Sequence, residues 1–189
     1  MKKTNFVLSL FMLIAVLSSS FTFLNNTIVE TNDNQKINWL SMEEAVELQK
    51  KEHKLILVDV YMEKCGPCIK MDKSTFGHPK VREYIAEKFY AVKLDAFSNR
   101  KITIGERDFK VDKNDPYRTH ELASFLLRER MEFPSTVFIG KNFKVINSIP
   151  GYMDAPEFDQ IMQYYGQGFY KKGIPWGIYR MNSKPRFSK

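Results

Sequence analysis

The clearest pattern in the chain is the run Leu55–Tyr61, which is nearly all apolar and rich in branched residues and predicts a strand buried on both faces. A second apolar strand is predicted at 91–95. Between them, four apolar residues recur at helical spacing and predict a helix over 81–88: Val81, Tyr84, Ile85 and Phe89. Strand, helix and strand in this order predict a right-handed βαβ unit.

Other signals place further elements around this unit. Ser41 and Glu44 form a capping box that predicts a helix from Ser41 to about Glu52. Residues 96–114 read as an insertion, in which alternating apolar positions around Gly105 predict a hairpin. Beyond it the patterns predict a helix that starts at Asp115-Pro116 and buries one apolar stripe, strands at 136–139 and 144–149, and a last helix opened by Asp154; the stripe is Leu122, Phe125 and Leu126.

The composition is that of an ordinary globular protein, with 189 residues, 43% hydrophobic and 27% charged, which suggests one domain. The net charge of +7 is spread over scattered Lys and Arg residues, which we interpret as solvated faces. Binding to nucleic acid or to an anionic membrane surface remains a less favoured alternative.

The N-terminus has a basic start followed by an apolar run, Phe6–Leu17, and three serines. This pattern is typical of a secretory signal peptide, and the run is too short to span a bilayer comfortably, although an uncleaved anchor stays open as an alternative. We therefore predict a signal peptide over 1–20, a linker over 21–36, a domain over 37–166 and a basic, aromatic tail over 167–189. The protein is expected to be exported, in the periplasm or another extracytoplasmic space.

Two cysteines, Cys65 and Cys68, are the only ones in the chain, and they follow the predicted strand directly at the start of a predicted helix. Backbone N–H groups and the positive end of the helix dipole meet there, and both favour a reactive thiolate at the first cysteine. Half of a zinc site is one alternative, but His53, His78 and His120 show no paired spacing and are expected at the surface. A purely structural disulfide is another, although so short a loop adds little stability.

The stretch from Val58 to Met71, V-D-V-Y-M-E-K-C-G-P-C-I-K-M, resembles the active-site strand and helix of the thioredoxin family. By element order the resemblance covers about residues 37–165. It implies an α/β thioredoxin fold, a central mixed sheet flanked by helices, here with an extra N-terminal helix, an inserted hairpin and a C-terminal tail. The segment 74–81 is most similar to the exported branch, which includes the soluble periplasmic domain of the transmembrane thiol:disulfide interchange protein.

The resemblance implies a role for five residues. Cys65 would be the attacking thiolate and Cys68 the resolving thiol. Asp59 would be the buried carboxylate that takes and returns the proton of the resolving thiol, with Lys93 on the neighbouring strand as its partner. Pro134 would be the cis-proline that presents a backbone edge to substrate beside the first cysteine. From the residues alone, a single Asp in an apolar strand is costly unless it is partnered or functional.

Substrate contacts are expected from five residues around the pair: Lys64, Gly66, Pro67, Phe133 and Pro134. Two of them depart from the family. Lys64 stands where the family usually has Trp, and its charge is expected to lower the pKa of Cys65. Phe133 is bulkier than the usual aliphatic residue or Thr, which puts the substrate preference in doubt.

The predicted function is a protein-disulfide reductase that acts on exported proteins with thiols or disulfides, through the Cys65–Cys68 pair alone. We expect no metal, no small-molecule cofactor, no nucleic acid and a monomer, with a membrane thiol carrier supplying electrons. One alternative is an oxidase or isomerase. Another is a non-catalytic binding module on the same scaffold.

Overall fold

A computed structural model of the chain describes residues 36–128 and 130–187. The predicted signal peptide and almost all of the predicted linker lie outside these residues. Helix α1 spans Met42–Lys51 and begins at Ser41, whose side chain accepts the Glu44 N–H in the predicted capping box. No helix in the described ranges is long and apolar enough to cross a membrane.

The central sheet has four strands: β1 (Leu55–Tyr61), β2 (Phe89–Asp95), β5 (Ser135–Ile139) and β6 (Val145–Pro150). They lie in the order β2-β1-β5-β6, with β1 and β2 parallel and the other neighbours antiparallel. Strand β1 lies inside the sheet and is buried on both faces, as its nearly all-apolar sequence predicted. The mixed α/β sheet predicted from the sequence is confirmed.

Apolar clusters cover both faces of the sheet. Helices α2 (Gly66–Ser74), α3 (Pro79–Lys88) and α5 (Ala155–Gly166) pack on one face. Helix α1 and helix α4 (Glu121–Leu127) pack on the other, beside a small hairpin formed by β3 (Ile102–Ile104) and β4 (Arg107–Phe109). Asp154 caps α5 as predicted, with its side chain accepting the Glu157 N–H.

The predicted start of α4 at Asp115-Pro116 is wrong. The Asp115 carboxylate accepts the N–H groups of Tyr117 and Thr119 and closes a turn. Arg118, between these two residues, has a φ of 55°. The helix begins only after His120. The predicted stripe is only partly buried, since Leu122 and Leu126 are buried but Phe125 is 38% exposed.

The tail after α5 continues the fold. It forms a 3₁₀ helix, Phe169–Lys172, and helix α6, Trp176–Asn182. Tyr179 is 8% exposed and belongs to the same apolar cluster as α5. Four aromatic residues of the tail pack against this cluster, as the sequence interpretation favoured: Phe169, Tyr170, Trp176 and Tyr179.

Candidate redox site

The two cysteines form a disulfide at the start of α2, with their Cα atoms 5.2 Å apart. Cys65 is the N-cap of the helix, and its Sγ accepts the Cys68 N–H at 3.2 Å. The sulfur therefore lies where a helix leaves its N–H groups unpaired and its dipole is positive. Both residues are buried, at 8% exposure for Cys65 and 5% for Cys68.

The loop before β5 brings a second backbone segment to Cys65. The Phe133-Pro134 peptide bond is cis, as the resemblance implied, and the Phe133 carbonyl oxygen lies 3.8 Å from Cys65 Sγ. The Pro134 carbonyl accepts the Gly151 N–H at 2.8 Å, which ties this loop to the end of β6. The Phe133 N–H has no hydrogen-bond partner among the described residues, so this backbone segment beside the disulfide keeps an unpaired donor there.

Phe133 also contacts a residue that the sequence analysis missed. Its ring lies 5.9 Å, between centroids, from the ring of Phe97, which is 37% exposed. Phe97 follows β2 in the predicted insertion, and its N–H donates to the Asp95 carboxylate. The insertion therefore places an aromatic side chain beside the loop that carries Pro134. In the sequence, the one signal for this was an apolar residue in an otherwise polar loop.

Lys64, Gly66 and Pro67 are exposed around the pair. Lys64 has a φ of 59°, an uncommon left-handed conformation for a residue with a side chain. A Cβ added at Gly66 would meet nothing within 4 Å, so close packing does not explain this glycine. Pro67 lies in the first turn of α2, where its missing N–H costs no helical hydrogen bond.

Asp59 and Lys93 are register partners on β1 and β2, and Lys93 Nζ lies 3.5 Å from Asp59 Oδ2. Asp59 is 2% exposed, and its Oδ1 has no hydrogen-bond partner in the part of the chain that the structure describes. Burial is the dominant effect and raises the pKa of Asp59 from 3.8 to about 6, against the opposing effect of the Lys93 charge. The carboxyl can therefore exchange a proton near neutral pH.

Asp72 is the second residue that the sequence analysis missed. It lies on α2, and its carboxylate pairs with the Lys93 ammonium, which is thus shared between two acids. The same ammonium lies 5.0 Å from the ring centroid of Tyr61 and 5.5 Å from that of Trp39. Asp72 follows Cys65 by seven positions and Cys68 by four, so the helical spacing could have indicated a shared face.

The histidines lie in three different environments. His53 is exposed and His78 is half-buried, but His120 is fully buried, so its predicted surface position is wrong. Its ring caps α4 by accepting the Leu122 N–H, while its other nitrogen lies 2.8 Å from the Arg100 carbonyl oxygen. Within 36–128 and 130–187, no three His, Cys, Asp or Glu side chains are grouped as metal ligands.

Residues 42–166 match the model of a thioredoxin-like domain. The chain belongs to this thioredoxin-like family. Family and site together support the general class of thiol:disulfide oxidoreductase.

Individual relatives are distant. The chain is 24% identical over 165 residues to the thiol:disulfide interchange protein DsbD of Photorhabdus laumondii, a match that covers 84% of this chain and 25% of that protein. The chain thus spans about a quarter of the length of this curated relative. A thioredoxin from Thermus thermophilus is similar in structure, with a TM-score of 0.54 and 17% identity over 74% of this chain and 95% of the other. A thioredoxin-fold protein from Helicobacter pylori has a TM-score of 0.51 and 19% identity, covering 69% and 80%.

Proposed function

We propose that this chain reduces disulfides of exported proteins by dithiol–disulfide exchange, with Cys65 as the nucleophile. The observation that carries the proposal is the position of Cys65 Sγ, which accepts the Cys68 N–H at 3.2 Å and lies 3.8 Å from the Phe133 carbonyl. A thiolate at this point is stabilised by the helix terminus, and a substrate strand can reach it along the backbone edge beside Pro134.

The reaction proceeds in two exchanges from the reduced dithiol. The Cys65 thiolate attacks one sulfur of the substrate disulfide, an S–S bond forms to the enzyme, and the substrate's other sulfur leaves as a thiolate and takes up a proton. Cys68, once deprotonated, then attacks Cys65 Sγ. The bond between Cys65 Sγ and the substrate breaks, and the substrate's second sulfur leaves as a thiolate and takes up a proton. The substrate then carries two thiols, and the enzyme holds the Cys65–Cys68 disulfide after giving up two electrons.

Asp59 would serve the second exchange by accepting the proton of Cys68. Its carboxyl is buried on the strand that leads into the motif, and its raised pKa, about 6, makes it a stronger base than an exposed Asp. Lys93 and Asp72 shift the pKa of Asp59 in opposite directions, since the Lys93 charge lowers it and the Asp72 charge raises it. The two residues are positioning residues for that proton transfer.

The reducing direction rests on the Gly66-Pro67 dipeptide between the cysteines, which is similar to that of the reducing members of the family. An extracytoplasmic reductant has to be re-reduced, and we propose a membrane-bound dithiol carrier as its electron donor. The predicted signal peptide supports an exported location, and DsbD of Photorhabdus laumondii is by its name an interchange protein for thiols and disulfides.

The decisive experiment is the equilibrium reduction potential of the Cys65–Cys68 pair against a glutathione or dithiothreitol series. A value near that of thioredoxin, about −270 mV, supports a reductase, while a value near about −120 mV makes the protein a disulfide donor. An oxidase or isomerase is the second candidate because Lys64 places a positive charge directly before Cys65 and would stabilise the reduced form.

Trapping variants test whether the pair turns over at all. In a Cys68→Ser variant we expect a mixed disulfide between Cys65 and substrate proteins to accumulate, and in a Cys65→Ser variant we expect none. A Cys65→Ser, Cys68→Ser double variant that keeps full cellular function would instead favour a non-catalytic binding module.

A further inference from the structure

The positive charge of this chain is concentrated at its C-terminal end. Residues 167–189 contain six Lys or Arg residues and no Asp or Glu, so this segment carries six of the seven net positive charges of the whole chain. The remaining 166 residues are close to neutral. Outside the tail, the 23 Lys and Arg residues are nearly balanced in number by the 22 Asp and Glu residues.

Packing turns the aromatic side chains of the tail inward and leaves an apolar outer face. The ring of Tyr179 on α6 lies 4.7 Å from that of Phe169 and 5.2 Å from that of Tyr164, which fixes α6 beside the 3₁₀ helix and against α5. On the side of α6 away from Tyr179, Ile178 is 50% exposed and Met181 is 75% exposed.

Four exposed cations lie in the same segment as these two apolar side chains: Lys171 and Lys172 in the 3₁₀ helix, Arg180 on α6 and Lys184 just after it. Arg186 differs from them, because it is committed to the buried Asp159. The acids of α3 do not neutralise the surface, because Glu83 and Glu87 pair with Lys80 and Lys88 of their own helix.

We propose that this surface, made of Ile178, Met181 and the four exposed cations, docks the protein on an anionic phospholipid surface. Lys and Arg attract acidic headgroups over about a Debye length, and each cation near such a surface changes binding about fivefold. The two apolar side chains then enter the headgroup boundary. A nucleic-acid surface would instead offer aromatic faces to the bases, whereas here those faces are used inside the fold. Docking of this kind is independent of the redox direction.

Vesicle co-sedimentation of the full chain tests the proposal. Vesicles of phosphatidylglycerol and phosphatidylcholine should bind the protein, pure phosphatidylcholine should not, and binding should fall as salt rises. We expect the variant Lys171→Gln, Lys172→Gln, Arg180→Gln, Lys184→Gln to lose more than about 50-fold in partition coefficient. Ile178→Ser with Met181→Ser should lose about tenfold at constant charge.

A matched control removes four exposed lysines elsewhere, in Lys110→Gln, Lys113→Gln, Lys141→Gln, Lys144→Gln, and should keep wild-type binding. An equal loss in this control would overturn the proposal, because net charge alone would then be responsible. Failure to bind anionic vesicles would overturn it as well. The proposal would also be overturned if the protein bound single-stranded DNA more tightly than anionic vesicles and the Ile178 and Met181 substitutions left that DNA binding unchanged. The surface would then be one for nucleic acid. Equal urea midpoints for all variants establish that each is folded.

Discussion

The ammonium of Lys93 lies 3.5 Å from the carboxylate of Asp59, and the two residues face each other across the parallel strands β1 and β2. Asp59 is not the sole partner of Lys93, because the Asp72 carboxylate on α2 pairs with the same ammonium. The buried carboxyl is therefore only partly compensated. Burial consequently dominates its pKa, which rises from 3.8 to about 6.

Replacing Asp59 with Asn should change how stability depends on pH. Because the folded pKa of Asp59 is above its unfolded value, the stability contributed by the protonated carboxyl is complete below the unfolded pKa of 3.8 and is lost as pH rises through about 6. This shift corresponds to roughly 3 kcal/mol. We expect the free energy of unfolding of the oxidised wild type, relative to Asp59→Asn, to fall by roughly that amount across this window, as measured by urea denaturation.

Asp108 provides a control of opposite sign. It is exposed, and hydrogen bonds from Thr103 and Lys101 lower its pKa. Any contribution of Asp108 to the free energy of unfolding should therefore be lost as pH falls rather than as pH rises. A difference between wild type and Asp59→Asn that does not vary with pH would contradict a buried, protonatable Asp59.

Replacing Lys93 with Met should raise the pKa of Asp59 further, because the Lys93 charge is the largest of the effects that lower it. The pH at which the oxidised protein loses the Asp59 contribution should move upward. The pH profile of thiol exchange should move with it if Asp59 accepts the proton of Cys68. Lys93→Arg keeps the charge and should leave both profiles near their wild-type positions, so a shift of equal size in both variants would contradict the electrostatic explanation.

Replacing Asp72 with Asn should have the opposite effect. The Asp72 charge raises the pKa of Asp59, and its removal also frees Lys93 for Asp59 alone. We expect the pH profiles of stability and exchange to move downward, in contrast to Lys93→Met. Asp112→Asn changes one charge elsewhere on the chain and serves as the control. An upward shift in Asp72→Asn would mean that Lys93 is not shared as the structure indicates.

The site shows what a sequence pattern can and cannot reveal. Asp59, Cys65 and Cys68 lie within one continuous strand-to-helix segment, and the resemblance of that segment to the thioredoxin family implied their roles. Asp72 was missed because its importance comes from a contact with Lys93, on a strand 21 positions away. Phe97 was missed for the same reason, since its partner Phe133 is adjacent only in the folded protein.

The same distinction, between signals local in sequence and contacts made only in the folded protein, explains which elements of the fold were predicted. The apolar run of β1, the capping box at Ser41 and the cap at Asp154 are signals between residues close in sequence, and the elements predicted from them were confirmed. The start of α4 was misplaced because Asp115 and Pro116 are good helix-start residues that form a turn instead. The actual cap, His120, is an unusual capping residue held in place by the Arg100 carbonyl of another loop.

Lys64 should promote thiolate formation at Cys65 in the reduced protein. The residue directly precedes the nucleophile and is exposed, so solvent screens its charge and the effect should be small. We expect Lys64→Ala to raise the pKa of Cys65, measured by thiolate absorbance or by the pH dependence of alkylation. Lys64→Arg should leave that pKa unchanged. No rise in Lys64→Ala would mean that the helix terminus alone stabilises the thiolate.

Arg186 should hold the C-terminal segment to the domain. Asp159 on α5 is fully buried and accepts hydrogen bonds from the Arg186 backbone N–H at 2.7 Å and from its Nε at 2.8 Å. Arg186 also donates to the Lys80 carbonyl on α3 at 2.7 Å. In Arg186→Ala the Asp159 carboxylate keeps the backbone N–H of residue 186 and the Gln163 amide but loses its countercharge, so the variant should cost about 2–3 kcal/mol in the free energy of unfolding. Arg180→Ala, at an exposed position nearby, should change it by less than about 0.5 kcal/mol. Similar urea midpoints for the two variants would mean that the segment is only loosely attached, whereas the expected contrast makes the tail part of the folded domain.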